Sequence, residues 1–569
     1  MTGERDPVAS ARAAVESAWN VVRESVYVSM ATGSPLRQLP DVSESAVVQR
    51  GARARRCLHA LASIDVTRLP HELALTVQVA RDAMTVTSRA GDWYWLVFDP
   101  LGIGFFGMFA PTAYCGGLLL DKLLGTFATF DLLGTADSTA YLSLVEDLGR
   151  LLRQLDARTR GQADRGIHMP KVQLEQAVTL VSAQRSSLEA RLVPSPDRLA
   201  DDGQRALIRD CVHAVVLPTL DDTLAWLSHP DRVAAAGDAV GLGAQPGGAK
   251  VYADLVRLHT TLDLEPDQVH RQGLARLSEI SADMLALLDH MGVTHPPREH
   301  LTLLAEDPAW RATTPDEIVR FFERYLARLS PRLEQAFRIQ PPEPYGVAPL
   351  PEALEASMTF GYYDLPTGRY LFNAANLSAQ ALATVAAVTY HELVPGHHLH
   401  MASQRDDETL HPLRRHAFVN AYNEGWAEYA AHVAGELGMY EDPNERFGKL
   451  VMEAFLVTRL VVDTGMNALG WTLEQAQDFM REHAFIPEAE VVSESIRYSC
   501  DLPAQALGYK IGDLHLQGLR RDMAAALGDH FDVRDFHDLV LRPGSLPLWL
   551  VEDNVRRGTE ALLAQVAGA

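Results

Sequence analysis

Four histidines and a carboxylate lie together in the segment 391–400, HELVPGHHLH. They directly follow residues 381–390, an uncharged run rich in Ala, Val and Leu, which predicts a buried helix. Burying several ionisable groups is costly unless a metal ion or a partner charge compensates them. The segment therefore predicts a metal site.

The spacing of these residues differs from that of an uninterrupted metal-binding helix. In the pattern H-E-x-x-H, two histidines share one helix face and the glutamate beside them is the general base. Here Pro395 stands four residues after His391, and Pro followed by Gly breaks a helix. A bulge there would turn His397 back towards His391, whereas an unbroken helix would place His398 about 10 Å along the axis. We therefore predict His391 and His397 as metal ligands and Glu392 as the general base. His398 is the alternative second ligand.

A third ligand is expected from residues 423–430, NEGWAEYA. Glu424 and Glu428 are one helical turn apart and His432 follows one turn later, so all three share a face. Two histidines and a glutamate are a known ligand set of catalytic zinc, which keeps a fourth position open for water. We predict Glu424 as the ligand. Glu428 and His432 would orient the ligating imidazoles or serve as alternative ligands.

The two motifs resemble those of the domain-of-unknown-function 885 family. The resemblance lies in HE-x-x-PGHH from His391 and NEGWAEY from Asn423, and it extends from about residue 240 to the C-terminus. That family is grouped with zinc metallopeptidases related to thimet oligopeptidase and Taq carboxypeptidase. The resemblance implies a mostly α, zincin-like fold around a deep channel, with a small β-hairpin or sheet next to the metal helix. It also supports His397 and Glu424 as ligands.

Residues 497–512, RYSCDLPAQALGYKIG, resemble the same family. The resemblance implies that Tyr498 and Tyr509 donate hydrogen bonds to an oxyanion, and that Arg497 and Lys510 pair with a substrate carboxylate. The family shows Asp-Thr-Gly-Leu-His where this chain has DTGMN, ending at Asn467. If the family histidine contacts substrate, Asn467 indicates an altered specificity or a weakened activity.

Helices are expected to position most of these residues. Residues 1–235 predict an N-terminal region of amphipathic helices, 236–350 a helical segment that packs on it, and 351–569 the catalytic zincin-like region, all within one integrated fold. Thr314 and Glu317 predict a capping box at one helix start. Aromatic-rich segments 358–365 and 369–374 flank Pro-Thr-Gly and predict a β-hairpin beside the metal helix. The hairpin would bind the substrate backbone or simply cover the site.

The composition of the chain limits the cellular compartments and the classes of binding partner that we expect. The formal net charge of −23 argues against nucleic acid and anionic membrane surfaces as partners. The scattered cysteines favour a reducing compartment, and the charged N-terminal residues predict no signal peptide, so we expect a cytoplasmic protein. Residues 101–120 are uncharged and as long as a membrane span, but glycines and Pro111 interrupt them. We predict a buried, partly irregular segment there.

These residues together predict a zinc-dependent hydrolase that cleaves amide bonds of short peptides. Zn²⁺ would polarise the carbonyl and activate a water, and Glu392 would act as general base. The alternatives are a hydrolase of a non-peptide amide in specialised metabolism and, less favoured, a non-hydrolytic metalloenzyme with two metal ions. We expect a short peptide or small amide as substrate and leave a homodimer open.

Overall fold

The computed structural model describes residues 6–32, 36–132, 134–351, 361–375 and 382–568. These residues are mostly helical and include a small three-stranded sheet, which confirms the predicted fold class at that level. They form two compact units. The first unit comprises Met1–Leu255, Met466–Leu473 and Ile496–Pro503, and the second comprises Val256–Gly465, Glu474–Ser495 and Ala504–Ala569. The units therefore interleave along the chain, whereas the predicted regions follow one another in order.

The α-helices account for nearly all regular structure in the described residues. The first ten are α1 (Pro7–Val22), α2 (Val26–Ala31), α3 (Glu44–Ala62), α4 (His71–Trp93), α5 (Leu119–Thr129), α6 (Thr135–Ala163), α7 (Lys171–Leu192), α8 (Asp202–Cys211), α9 (Leu217–Leu227) and α10 (Pro230–Ala235). The next seven are α11 (Gly248–Thr260), α12 (Pro266–His290), α13 (Pro297–Glu306), α14 (Pro315–Leu329), α15 (Val385–Glu392), α16 (His397–Asp406) and α17 (Pro412–Arg415). The last seven are α18 (Asn420–Glu436), α19 (Pro443–Ala468), α20 (Leu473–His483), α21 (Glu488–Ile496), α22 (Leu507–Leu527), α23 (Val533–Leu541) and α24 (Leu548–Gly568).

Two local predictions are confirmed by these elements. Thr314 and Glu317 form a reciprocal capping box at the start of α14. The uncharged segment 101–120 is irregular as far as residue 112, and its side chains at Phe106, Met108 and Phe109 are buried. Among the described helices, none combines the length and the apolar character needed to cross a membrane.

The small sheet has the strand order β1-β3-β2, with β1 at Gly346–Pro349, β2 at Tyr362–Asp364 and β3 at Arg369–Phe372. β2 and β3 pair antiparallel, so the hairpin is confirmed where the structure describes it. Residues 358–360 of the predicted first strand lie outside the described residues. β1 pairs parallel with β3 and was not predicted, because its proline-rich surroundings are typical of a linker.

α18 runs through the interior of the second unit, where its residues from 420 to 431 are all buried. It packs directly on α22 where two glycines meet. A Cβ on Gly425 would lie 2.4 Å from the Cα of Gly512, and a Cβ on Gly512 would lie 1.9 Å from the carbonyl oxygen of Ala421. The two helix backbones are therefore in contact, and residues of α22 next to Gly512 lie beside the glutamates of α18.

Candidate metal centre

The helix that carries the first predicted ligand is interrupted, as the sequence predicts. α15 ends before the break and α16 begins at His397. Gly396 packs so closely on the end of α15 that a Cβ there would lie 1.8 Å from the carbonyl oxygen of His391. The indole N–H of Trp426 donates a hydrogen bond to the carbonyl oxygen of Pro395 at 3.0 Å. The break is thus fixed from both sides, and it directs the second histidine back towards the first.

Three donor atoms converge at this break, from His391, His397 and Glu424, which we call the ligand cluster. The Nε2 atom of His397 lies 3.3 Å from Oε2 of Glu424, and Nε2 of His391 lies 4.0 Å from the same oxygen. One donor atom from each residue lies within 4.8 Å of the others, and all three residues are buried. No other group of this kind occurs in the part of the chain that the structure describes. The structure therefore brings together the three residues predicted as ligands.

The donor set fits a zinc ion. Zinc binds imidazole nitrogen and carboxylate oxygen at about 2.0–2.2 Å in tetrahedral geometry, so neighbouring donors lie roughly 3.3–3.6 Å apart. The 3.3 Å separation of His397 and Glu424 matches this distance, and the 4.0 Å separation of His391 and Glu424 is slightly longer. His391, His397 and Glu424 are the residues that would hold the ion.

The predicted orienting role of Glu428 is matched by its position. Its Oε1 lies 2.8 Å from Nδ1 of His391, and both side chains are buried. Because the carboxylate accepts the Nδ1 proton, Nε2 of His391 presents its lone pair to the ligand cluster. Burial alone would lower the pKa of His391, but the hydrogen bond to Glu428 and the neighbouring carboxylates raise it.

Glu392, the predicted general base, follows His391 directly at the end of α15. Its carboxylate accepts a hydrogen bond from the backbone N–H of Tyr363 in β2. Burial raises the pKa of Glu392, and the charge of Glu424 adds to this, while His391 and His397 oppose it. A carboxyl group with a raised pKa beside the ligand cluster is suited to accept and return a proton.

His398 is not an alternative ligand, because both of its ring nitrogens are bound elsewhere. Nε2 lies 2.7 Å from the carbonyl oxygen of Pro342, and Nδ1 lies 2.9 Å from the hydroxyl of Tyr363. The ring of Tyr345 stacks on the imidazole with centroids 4.6 Å apart. The prediction of a reserve ligand was wrong, and His398 instead fixes β2 and the chain before β1 to α16.

His432 also lies outside the ligand cluster. Its imidazole is more than a third exposed, and Nε2 lies 3.4 Å from a carboxylate oxygen of Glu436 one turn further along α18. His432 lies in the last turns of α18, where its side chain is partly exposed to solvent while those of Glu424 and Glu428 are buried. The prediction that His432 orients or replaces a ligand was therefore wrong.

Two predicted substrate-binding residues have structural partners instead. Lys510 is almost fully buried, and its Nζ lies 2.5 Å from Glu453 and 2.6 Å from Asp513. Asn467 is fully buried in the first unit, where its side chain accepts from the backbone of Leu242 and donates to the carbonyl oxygen of Tyr498. Neither side chain is presented to a substrate, so both predictions were wrong.

The predicted tyrosines and Arg497 occupy different environments. The ring of Tyr509 is parallel to the imidazole of His391, with centroids 6.3 Å apart, and Tyr509 is partly exposed. Tyr498 is fully buried and Arg497 partly buried in the first unit, with the guanidinium 5.8 Å from the tyrosine ring. Tyr509 thus lies beside the ligand cluster, while the roles of Tyr498 and Arg497 stay predictions.

Arg459 was missed at the sequence level. Its buried guanidinium lies over the rings of Phe455 and Tyr509, at 4.3 and 4.6 Å from their centroids, and 3.1 Å from Glu494. Burial alone would raise the pKa of Glu424, but His397, His391 and, to a smaller extent, Arg459 lower it. The sequence feature that could have indicated a buried, functional arginine is its position as the one charged residue in the otherwise largely apolar stretch 455–462.

The known proteins that this chain resembles include the following two solved structures. A crystal structure described as a putative lipoprotein from Colwellia psychrerythraea has a TM-score of 0.85 at 25% sequence identity, and the match covers 97% of this chain and 99% of that chain. A structure described as a putative lipoprotein of unknown function from Shewanella oneidensis has a TM-score of 0.73 at 16% identity, with the same coverage of 97% and 99%. No curated protein matches the chain. The family described as "Bacterial protein of unknown function (DUF885)" matches residues 28–555, and the chain belongs to that family.

Proposed function

We propose that the protein is a zinc-dependent hydrolase of amide bonds, acting most simply on short peptides. The observation that carries the proposal is the convergence of His391, His397 and Glu424 beside the carboxyl group of Glu392. A bound zinc ion would supply a Lewis acid for the carbonyl oxygen and lower the pKa of water at the site. A relationship to zincin metallopeptidases related to thimet oligopeptidase and Taq carboxypeptidase is part of the same proposal.

The chain's own residues divide the remaining work. Glu428 holds the imidazole of His391 in the tautomer whose Nε2 faces the ligand cluster. The carboxylate of Glu392 accepts a proton from the attacking water and returns it to the leaving amine nitrogen. The hydroxyl of Tyr509, whose ring lies parallel to His391, donates a hydrogen bond to the developing oxyanion.

The alternative functions lose the residues on which they depended. The case for a non-peptide amide rested on Asn467, which holds backbone groups in the first unit. The case for a second metal ion rested on surplus ligands, but His398 is bound to Pro342 and Tyr363, and His432 lies near Glu436. No observation in the described residues therefore favours these alternatives over peptide hydrolysis.

The test is peptide hydrolysis by the wild type and Glu392→Gln, each with and without a chelator. We expect the substitution to lower kcat by at least roughly a hundredfold, as loss of a general base does, while zinc content stays near one per chain. Glu408→Gln, at an exposed position in the second unit, is the matched control and should retain activity. Activity that survives in Glu392→Gln, or that the chelator leaves unchanged, would refute the assignment.

A further inference from the structure

A buried arginine of α19, Arg459, lies where three helices meet within the second unit. Its guanidinium carbon is 4.3 Å from the ring centroid of Phe455, one turn earlier in α19, and 4.6 Å from that of Tyr509 at the start of α22. The guanidinium also donates a hydrogen bond to a carboxylate oxygen of Glu494 in α21 at 3.1 Å. Arg459 and Glu494 are both buried. The cation is therefore held in place over the ring of Tyr509.

Packing alone does not account for a charge at position 459. Residues 455–462 are otherwise largely apolar, and the neighbouring Leu456, Leu460 and Val461 are buried. Removing a guanidinium and a carboxylate from water is costly, and replacing a buried ion pair by apolar residues of similar volume is often neutral or stabilising. An apolar side chain would therefore suit the core at this position. What the arginine adds is a planar cation, which stacks on an aromatic ring better than an ammonium group does.

The ring that Arg459 contacts lies beside the ligand cluster. The Tyr509 ring is parallel to the imidazole of His391, with an angle of 8° between the two planes and 6.3 Å between the centroids. Burial does not by itself immobilise this ring, since Tyr509 is partly exposed. The contacts of the ring therefore decide where the phenol oxygen lies, because that oxygen is fixed in the plane of the ring.

The position of the phenol oxygen matters for the reaction. A hydrogen-bond donor stabilises an oxyanion best when it is in place before the charge develops, and a displacement of about 1 Å can cost about a hundredfold in rate. We infer that Arg459 is a positioning residue, which keeps the ring of Tyr509 where its hydroxyl meets the oxyanion of the reacting amide. Glu494 in turn holds the guanidinium on that ring. The inference rests on the proposed function.

The first test separates kcat from KM in the hydrolysis of a short peptide by the full-length, zinc-loaded protein. Arg459→Met should lower kcat by at least roughly tenfold and leave KM within about twofold, because the hydroxyl acts on the transition state and not on the bound substrate. Arg328→Met is the matched control, since Arg328 also pairs with a buried glutamate, Glu445, but lies over the ring of Tyr325. The kcat of the control should stay within about twofold of the wild type. An unchanged kcat in Arg459→Met, or equal losses in both variants, would overturn the inference.

A double-mutant cycle tests whether Arg459 acts through Tyr509. We expect Tyr509→Phe to lower kcat, and Arg459→Met to cause no further loss in that background. The same loss in both backgrounds would show a general structural effect and contradict the inference. Arg459→Met with Glu494→Gln removes both charges of the ion pair and is measured in parallel, so that a buried carboxylate without its cation does not decide the result. This pair of substitutions should lower kcat as much as Arg459→Met does, and a wild-type kcat would count against the positioning role.

The binding of a transition-state analogue gives a readout that does not depend on turnover. A phosphinic peptide carries a charged oxygen on a tetrahedral phosphorus, so its affinity includes the hydrogen bond that the oxyanion would accept. In calorimetry, Arg459→Met should bind this analogue at least roughly tenfold more weakly than the wild type, while its affinity for Zn²⁺ stays within about twofold. Equal affinities of the two proteins for the analogue, or a parallel loss of zinc affinity, would refute the positioning role.

The outcomes also separate the inference from the proposed function. If Glu392→Gln retains activity, or a chelator leaves the wild type unchanged, the proposed function is wrong. If the wild type needs zinc and Tyr509→Phe loses activity but Arg459→Met does not, only the positioning role of Arg459 is wrong. An unchanged kcat in Tyr509→Phe would remove the role of Tyr509, and the inference with it, but not the metal centre.

Discussion

Gly512→Ala should destabilise the second unit even though alanine is the better helix former. In an open helix the substitution gains up to about 1 kcal/mol. Here the new Cβ would lie 1.9 Å from the carbonyl oxygen of Ala421 and 2.7 Å from the Cα of Gly425, both backbone atoms of α18. Contact distances for a Cβ begin near 3.0–3.4 Å, so the two helices must separate by more than 1 Å. Overpacking of this kind typically costs about 1–3 kcal/mol and occasionally more, which outweighs the gain.

The control substitution lies on the same helix. A Cβ on Gly518 would have a side-chain nitrogen of Arg521 at 3.9 Å as its nearest neighbour, so Gly518→Ala should retain the gain of up to about 1 kcal/mol. Circular dichroism during heating of the metal-free proteins measures both effects, and the two midpoints should shift in opposite directions. Zinc affinity should fall in Gly512→Ala alone, because a shift of α18 moves Glu424 relative to His391 and His397. A Gly512→Ala protein as stable as Gly518→Ala would refute the reasoning.

Three further predictions concern pH, metal and the small sheet. Burial lowers the pKa of His537 to about 3, whereas the unfolded residue titrates near 6.5. Between pH 3 and 6.5 the imidazole binds a proton only in the unfolded chain. The free energy of unfolding should therefore fall as the pH decreases below about 6.5, by up to about 1.4 kcal/mol per pH unit. The thermal midpoint of His537→Gln should fall less steeply with decreasing pH than that of the wild type. Zinc at a hundred times its Kd should stabilise the wild type by about 2.7 kcal/mol, and a thermal scan of His391→Ala should show no such shift. Tyr363→Phe removes the hydroxyl bound to His398, and should cost about 1 kcal/mol of stability in a melting experiment while zinc affinity stays unchanged.

Short-range patterns in the sequence predicted the parts of the site that depend on local conformation. Proline and glycine between the two histidines indicated the break, because they act on the backbone where they stand. The spacing of Glu424 and Glu428 placed both on one face of α18, which the structure shows. The capping box at Thr314 is local in the same way.

Predictions that failed depended on partners far away in the chain. His398 stands within the motif and has the right chemistry for a ligand, but Pro342 and Tyr363 bind its two nitrogens. Lys510 stands next to Tyr509 and resembles a substrate-binding cation, but burial against Glu453 makes it part of an ion cluster. Neither contact can be recognised from a periodic pattern in the sequence, because each joins elements that are far apart in the chain.

The glycine at the interruption between α15 and α16 bears on how such centres are recognised in other genomes. When a break in the helix separates two histidines, they can bind one ion without being four residues apart in the sequence. The break instead requires glycine at position 396, because any side chain there would clash with the carbonyl oxygen of His391. A search that fixes the two histidines four residues apart passes over these proteins, whereas one that pairs His-Glu with a nearby Gly-His and a downstream Asn-Glu-Gly would retrieve them.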